Sequence, residues 1–200
     1  MADSSITKGA LSKALKELLE GHSFEKISVS DICDKCNMNR KSFYYHFKDK
    51  YDLANWIFDT EFIALTRENS LNVLNPSPVF EDRWHGLWVI CQYFYENRNF
   101  YRKLLLVEGQ NSFSGHFREF LGSLLGQRVA DVMGNEPVPP MVLGFVIDGL
   151  GGAFERWLTE KDCATAEEFM HNVKQLLNLL ILGLGRRIQD DPTWLEQIQK

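Results

Sequence analysis

The chain has no uninterrupted apolar run of roughly 18 residues, the length that a helix needs to cross a bilayer. It has no signal-peptide pattern. Its four cysteines, at positions 33, 36, 91 and 163, form no dense framework of the kind that stabilises small secreted domains. These absences argue against a membrane protein and against a disulfide-rich secreted protein. We therefore expect a cytoplasmic protein with free thiols and no membrane partner.

Patterns of β-structure, catalysis and metal binding are also missing. No β pattern of useful length and no internal repeat is found. The histidines at 22, 85, 116 and 171 have no neighbouring arrangement that fits a triad or a metal site. Cys33 and Cys36 form a single C-x-x-C, and without a second pair of ligands core packing is the better interpretation. Residues 149–152 are glycine-rich but follow no strand, so a phosphate loop is not indicated. We expect no enzyme activity, no metal and no cofactor.

Charge is distributed unevenly along the chain. The net charge is −5 and the pI is near 5.6, values that by themselves argue against nucleic-acid binding. Residues 1–50, however, hold nine Lys and Arg against seven Asp and Glu, whereas the remaining 150 residues hold 13 against 20. Residues 35–50 alone carry a formal charge of +4. Because a local field steers a partner more than the total charge does, this segment is a candidate polyanion site.

Residues 28–51, SVSDICDKCNMNRKSFYYHFKDKY, predict two helices joined by a tight turn and followed by the start of a third. Ser28 can cap the first helix, and Asp31, three residues later, completes a capping box. Asn37 ends that helix, since asparagine tolerates the left-handed backbone that a helix-turn-helix connection needs. Asn39 then caps the second helix.

The second helix, from Arg40 to Phe47, has one apolar and one polar face. Phe43 and Phe47 lie four residues apart and point the same way, which leaves a basic, hydrogen-bonding face exposed. Such a face suits a major groove flanked by phosphates. We predict two kinds of DNA contact, to phosphates and to base edges, and we add one further DNA-binding residue on the same face. Phosphate contacts are Ser28, Tyr44, His46 and Lys50; contacts to base edges are Arg40, Lys41 and Tyr45; the further residue is Ser42.

The motifs at residues 28–32, 36–40 and 43–50 closely resemble the DNA-binding domain of the tetracycline-repressor (TetR) family of bacterial regulators. Asn37 stands where the family usually has glycine, and the reading helix opens with Asn-Arg-Lys, so any base preference differs from that of better-known members. The resemblance implies an all-helical homodimer. Its amino-terminal helix-turn-helix binds an operator, and its carboxy-terminal domain dimerises and usually binds a small effector.

The carboxy-terminal half, with residues 97–101 and the glycine-rich helix before Trp157, resembles the type found in many low-GC Gram-positive regulators. These include dihydroxyacetone-kinase operon activators. Such activators are similar in fold but can take their signal from a protein partner instead of a pocket-bound ligand.

Helical periodicity continues through the rest of the chain, so the predicted fold class is all-α. An apolar stripe begins at Ile6 on the first helix, and a long helix after residue 51 connects the two halves. Breaks are predicted at residues 75–78 and 134–140. We expect a three-helix DNA-binding domain at 1–50 and a larger helical effector and dimerisation domain at 51–200.

Aromatic residues are abundant in the second domain and suit either an effector pocket or an ordinary core. Asp148 is a lone carboxylate in an apolar run, so it is either an inward polar anchor or a mark of the solvent side. The candidate pocket residues are Trp56, Phe62, Trp84, Trp88, Phe94, Phe117, Phe145 and Asp148.

Two carboxy-terminal helices are predicted to form a homodimer. A single reading helix spans only a few base pairs, so specificity needs two half-sites of a palindromic operator. The helices carry small and apolar residues over more surface than one core-facing seam requires, which favours a four-helix bundle about a two-fold axis. The candidate interface residues are Gly151, Gly152, Val173, Leu176, Leu177, Leu180, Ile181 and Leu184.

Two functional hypotheses therefore remain open. One is a repressor that a small-molecule effector releases from palindromic operator DNA. The alternative is a regulator or activator that a protein partner controls. A helical enzyme has no support from any catalytic constellation.

Overall fold

A computed structural model describes residues 2–68, 80–107, 112–132 and 140–176, and these are all helical apart from turns and connections. The helices are α1 Ala2–Gly21, α2 Val29–Lys35, α3 Arg40–His46, α4 Lys50–Glu68, α5 Phe80–Glu96, α6 Arg98–Leu105, α7 Phe113–Val132, α8 Pro140–Thr159 and α9, described from 166 to 176. The predicted all-α class is confirmed. The predicted break at 75–78 lies outside the described residues. None of the described helices is long and apolar enough to span a membrane.

Helices α1 to α3 form the head of the molecule around a small apolar core. Leu11, Leu15, Ile32 and Phe43 are fully buried there. Ile6, predicted on the same apolar stripe, is instead 70% exposed. The stripe therefore becomes a core face only about three turns into α1, and the first turns of this helix extend beyond the head's core.

Helix α4 belongs to the head and to the body at once. Near its start, Trp56 packs its ring edge-to-face on Phe47 of the head, with centroids 5.6 Å apart. Further along, the buried ring of Phe58 lies among aromatic rings of the body, including Phe94 and Phe117. The predicted domain division at residue 50 falls on the first residue of this shared helix.

Helix α6 is short, but its cations satisfy carbonyls at the ends of two longer helices. Lys103 donates to the carbonyls of Leu19 and Glu20 at the end of α1, the latter at 3.2 Å. Arg98 and Arg102 donate in the same way at the end of α8, where Arg98 Nε lies 3.0 Å from the carbonyl of Leu158. Since the last carbonyls of a helix have no partner within it, these contacts fix α1 and α8 relative to α6.

A polar network joins the head and the body beside this contact. Lys16 of α1 pairs with Glu61 of α4, which also accepts a 2.8 Å hydrogen bond from the hydroxyl of Tyr93. Tyr93 in turn is hydrogen-bonded to the fully buried Tyr101. Burial raises the pKa of both tyrosine hydroxyls, so they act as neutral donors that hold α1, α4, α5 and α6 together.

Candidate nucleic-acid interface

The connection between α2 and α3 is built from local hydrogen bonds. The hydroxyl of Ser28 accepts from the Asp31 amide at 3.2 Å, and the Asp31 carboxylate accepts from the Ser28 amide at 2.8 Å, so the predicted capping box is present. Asn37 has φ 54°, the predicted left-handed conformation. The amides of Asn37 and Met38 donate to carbonyls of the last turn of α2, at 3.2 and 2.9 Å. This Schellman-type ending turns the chain sharply into α3.

The polar face of α3 is open to solvent. Its other face is fixed by Phe43, which is fully buried in the head. Tyr45 is 83% exposed and Tyr44 58% exposed, and Lys41 is exposed as well. The predicted contacts Ser42 and His46 are half-buried, and Arg40 and Ser28 are exposed. All the predicted contact residues on α3 are therefore at least partly accessible to a partner.

Arg40 is oriented by the neighbouring helix. Its Nε donates to the hydroxyl of Ser30 on α2 at 3.2 Å, while the residue as a whole is exposed. A planar guanidinium held through one nitrogen keeps further donors for a bidentate contact. This arrangement is compatible with the predicted contact to a base edge.

Lys50 has partners within the protein. Its ammonium donates to the carbonyls of Phe24, Glu25 and Ile27 at 2.8, 3.1 and 2.8 Å and lies 4.8 Å from the centre of the Phe24 ring. Burial lowers the pKa of this ammonium. The lysine thus ties the start of α4 to the connection between α1 and α2, and a phosphate would have to compete with three carbonyls for it.

Substituting methionine at Lys50 is expected to lower the free energy of unfolding by about 1 to 3 kcal/mol, because three carbonyls lose a charged donor. Chemical denaturation measures this change. Lys48→Met, at an exposed neighbouring lysine, is the matched control and should leave stability nearly unchanged. If Lys50→Met also lowers the magnitude of the salt slope of DNA binding by about one, the lysine holds a phosphate as the sequence predicts.

The first turns of α1 also belong to this face, which the sequence did not indicate. A concave surface of about 510 Å³ lies between Ser4 and Thr7 of α1 and the polar residues of α3. Nothing in the local pattern of α1 distinguishes these two hydroxyls from other surface residues.

The candidate pocket residues whose side chains are described lie in several different places. Phe62, Phe94 and Phe117 are buried in packed aromatic contacts, such as the 5.4 Å centroid separation of Phe94 and Phe117. Trp56 lies near the head, and Trp88 is partly exposed. Trp84 lies on α5, where its side chain is not among those described.

The structure places two pocket candidates of α8 on its solvent side, which for Asp148 is one of the two predicted alternatives. Phe145 is 74% exposed. Asp148 is also exposed and accepts a 2.8 Å hydrogen bond from Arg118 of α7, which pairs with Glu155 as well. Helix α7 packs on α8 at Ile147 and Gly151, and its Arg118 reaches Asp148 at the edge of that contact.

A separate cleft of about 380 Å³ lies where the head meets the body. Lys16 and Glu20 line it from α1, and Glu96, Asn97 and Lys103 line it from the body. None of the candidate pocket residues contributes to it.

The predicted dimer residues divide into three groups. Gly151 does not belong to an outer surface, since a Cβ there would lie 3.6 Å from side-chain atoms of Arg118 and Leu121 on α7 of the same chain. The second group is at least partly open: a Cβ added at Gly152 would meet no atom within 4 Å, Val173 is half-buried, and Leu176 is 54% exposed. The others lie outside the described residues: Leu177, Leu180, Ile181 and Leu184.

The four cysteines are free thiols, and burial raises the pKa of Cys33 and Cys36. Cys36 is partly buried, and its thiol donates to the carbonyl of Ile32 at 3.2 Å. Over the described ranges, no three side chains of the metal-binding types lie close enough to hold an ion.

Two family models match the chain. The model described as bacterial regulatory proteins, tetR family, matches residues 11–56, and one described as transcriptional regulator C-terminal region matches residues 82–179. The first covers the head apart from residues 2–10 of α1, and the second covers most of the body.

Known proteins are similar in sequence and in structure. The HTH-type dhaKLM operon transcriptional activator DhaS of Lactococcus lactis subsp. lactis (strain IL1403) is 31% identical over 108 residues, 54% of each chain. The match thus spans about half the length of this curated relative. A solved dihydroxyacetone kinase operon activator DhaS has a TM-score of 0.58 at 22% identity, covering 89% of this chain and 96% of the other. A TetR transcriptional regulator from Streptococcus agalactiae 2603V has a TM-score of 0.61 at 21% identity, covering 86% and 93%.

Proposed function

The chain belongs to the tetR family of bacterial regulatory proteins, and on this premise we propose that it is a homodimeric transcription regulator that binds a palindromic operator. The observation that carries the proposal is the open polar face of α3. Tyr44, Tyr45 and Lys41 are exposed there, while a buried phenylalanine and a capped turn hold the helix rigidly. A rigid helix with exposed donors suits readout of base edges in a major groove.

The charge of the chain supports the same proposal. The basic residues are concentrated between 35 and 50, whereas the rest of the chain is acidic. An acidic body repels DNA, so a duplex approaches through the head. Two heads on one dimer would then meet two half-sites.

Selection of bound duplexes from a random pool, followed by fluorescence anisotropy, tests this function. The enriched sequence should be a palindrome, and the selected duplex should bind at least about 1,000-fold more tightly than a shuffled one. Its affinity should also fall with salt on a log–log line whose slope counts the phosphates contacted. A pool without an enriched palindrome contradicts the proposal.

Replacing Arg40 by alanine is expected to cost about 1 to 3 kcal/mol of binding free energy on the operator and much less on random DNA, because a base-edge contact is lost. Anisotropy titrations on both duplexes measure the difference. Ser30→Ala is the matched control, since it removes the partner of Arg40 but leaves the guanidinium in place. An equal loss on the two duplexes would make Arg40 a phosphate contact.

We further propose that a protein partner, and not a pocket-bound effector, controls the regulator. Phe62, Phe94 and Phe117, the buried aromatics expected around an effector, are packed on other rings, and Phe145 points outward. The relative from Lactococcus lactis is named as an activator.

A reporter gene placed behind the selected operator tests this proposal. Deletion of the gene that encodes the regulator should lower expression of the reporter. If deletion instead raises reporter expression, and a small molecule added to the intact strain raises it in the same way, the effector-released repressor is favoured.

A further inference from the structure

A groove runs along the side of α3 that faces the beginning of α1. Its volume is about 510 Å³. One wall is formed by Ser4 and Thr7 of α1. The other wall is formed by the cap and exposed side of α3: Asn39, Lys41, Ser42, Tyr45 and His46.

The α1 wall projects beyond the packed part of the head. Leu11 is the first fully buried residue of α1, whereas Ser4 and Ile6 are exposed. Since an α-helix rises 1.5 Å per residue, Ser4 lies about 10 Å further along the helix than Leu11. A Cβ built on Gly9 would meet no atom within 4 Å. This end of α1 therefore flanks the reading helix, and Ser4 and Ile6 on it are open to solvent.

The described lining of the groove is rich in hydrogen-bond donors. The described side chains that line it offer hydroxyl, carboxamide, imidazole, phenol and ammonium groups, and none of these described side chains is a carboxylate. The cleft between head and body differs, because Glu20 and Glu96 both line it. A surface rich in hydrogen-bond donors, with a cation and no anion, fits a partner that presents anionic acceptor oxygens.

We propose that this groove holds the phosphodiester backbone of the operator strand that runs beside α3, with the hydroxyls of Ser4 and Thr7 donating to phosphate oxygens. The inference rests on the proposed DNA-binding function and adds α1 to the elements that contact DNA. His46, predicted as a phosphate contact, lines the same groove from α3. The backbone is thereby held from both sides, and the hydroxyls of α1 fix the depth at which α3 enters the major groove.

The test compares hydroxyl-deleted variants on operator and random duplexes. Ser4→Ala with Thr7→Val should weaken binding to both by about tenfold, because two hydrogen bonds to the backbone are lost. The log–log salt slope should stay unchanged, since neutral hydroxyls release no counterions. Ser12→Ala, on α1 but outside the groove, is the matched control. Affinities equal to wild type, or losses no larger than that of the control, would overturn the inference.

A variant that adds a positive charge tests the inference through a gain of affinity instead of a loss. Thr7→Lys should tighten binding to both duplexes and raise the magnitude of the salt slope by about one, because a cation is added next to a phosphate. A slope identical to wild type would place Thr7 away from the backbone. Circular dichroism and thermal unfolding identify any variant whose fold is altered.

Operator duplexes that each carry one neutral methylphosphonate locate the contact. At one position the methylphosphonate should weaken binding of the wild-type protein and leave binding of the Ser4→Ala, Thr7→Val variant unaffected. If inorganic phosphate protects the groove but no methylphosphonate position distinguishes wild-type protein from the double variant, the assignment of the groove to duplex DNA is overturned. If wild-type protein binds no selected duplex, the proposed function itself has failed, whereas tight wild-type binding with no coupling contradicts only the role of α1.

Discussion

Phe145→Arg combined with Leu176→Arg is expected to convert the protein into monomers and to reduce operator affinity by about 1,000-fold or more. Both side chains are exposed apolar residues, at 74% and 54%, on the two helices predicted to form the dimer. Apolar surface of this kind gains free energy when a second copy covers it, and two arginines in a self-complementary interface place four charges there. The reading helices stay intact but are no longer held as a pair.

Light scattering and anisotropy measure the two parts of this prediction. Wild-type protein should have twice the 23.2 kDa mass of one chain, and the double variant should have the mass of one. Leu106→Arg is the matched control because Leu106 is an exposed leucine outside the predicted interface. Monomeric wild-type protein, with its mass unaltered by operator DNA, would remove both the dimer and the palindrome.

Phe58→Ala should destabilise the protein by about 3 to 5 kcal/mol, which for a chain of this size lowers the melting temperature by about 10 °C. The ring of Phe58 is fully buried on α4. It meets rings from α5, α6 and α7, including Phe94, Tyr101 and Phe117. Truncation leaves a cavity that these large, interlocked rings cannot close without moving several helices.

Thermal and chemical unfolding check this prediction. Tyr45→Ala is the matched aromatic control, since its ring is 83% exposed and its removal should change stability by less than about 0.5 kcal/mol. Comparable losses for the two variants would show that the aromatic cluster of the body is not the main source of stability.

The helix-turn-helix shows how far local sequence signals reach. The capping box at Ser28, the left-handed Asn37 and the cap at Asn39 were predicted from neighbours three or four residues apart. These contacts join residues that lie within a few positions of one another and need no other part of the fold. The motifs that surround them also identified the family, which the family models confirm.

Lys50 illustrates the opposite case. Its sequence position beside a reading helix suggested a phosphate contact, yet its ammonium meets carbonyls 23 to 26 residues away. Those carbonyls become available only where a single 3-10 turn, Phe24–Lys26, ends beside α4. No pattern within the helix-turn-helix encodes that approach.

The sequence by itself determined the all-helical class, the turn between α2 and α3, and the polarity of the two faces of α3, because each depends on periodicity and capping within a few residues. Only the tertiary structure decided which side of α8 faces outward. That helix is apolar around most of its circumference, so its pattern does not select a face. The choice is made by α7, whose Arg118 and Leu121 pack beside Gly151 and leave Phe145 in solvent. The same reason applies to Ser4 and Thr7, which join the proposed interface only because α1 packs beside α3.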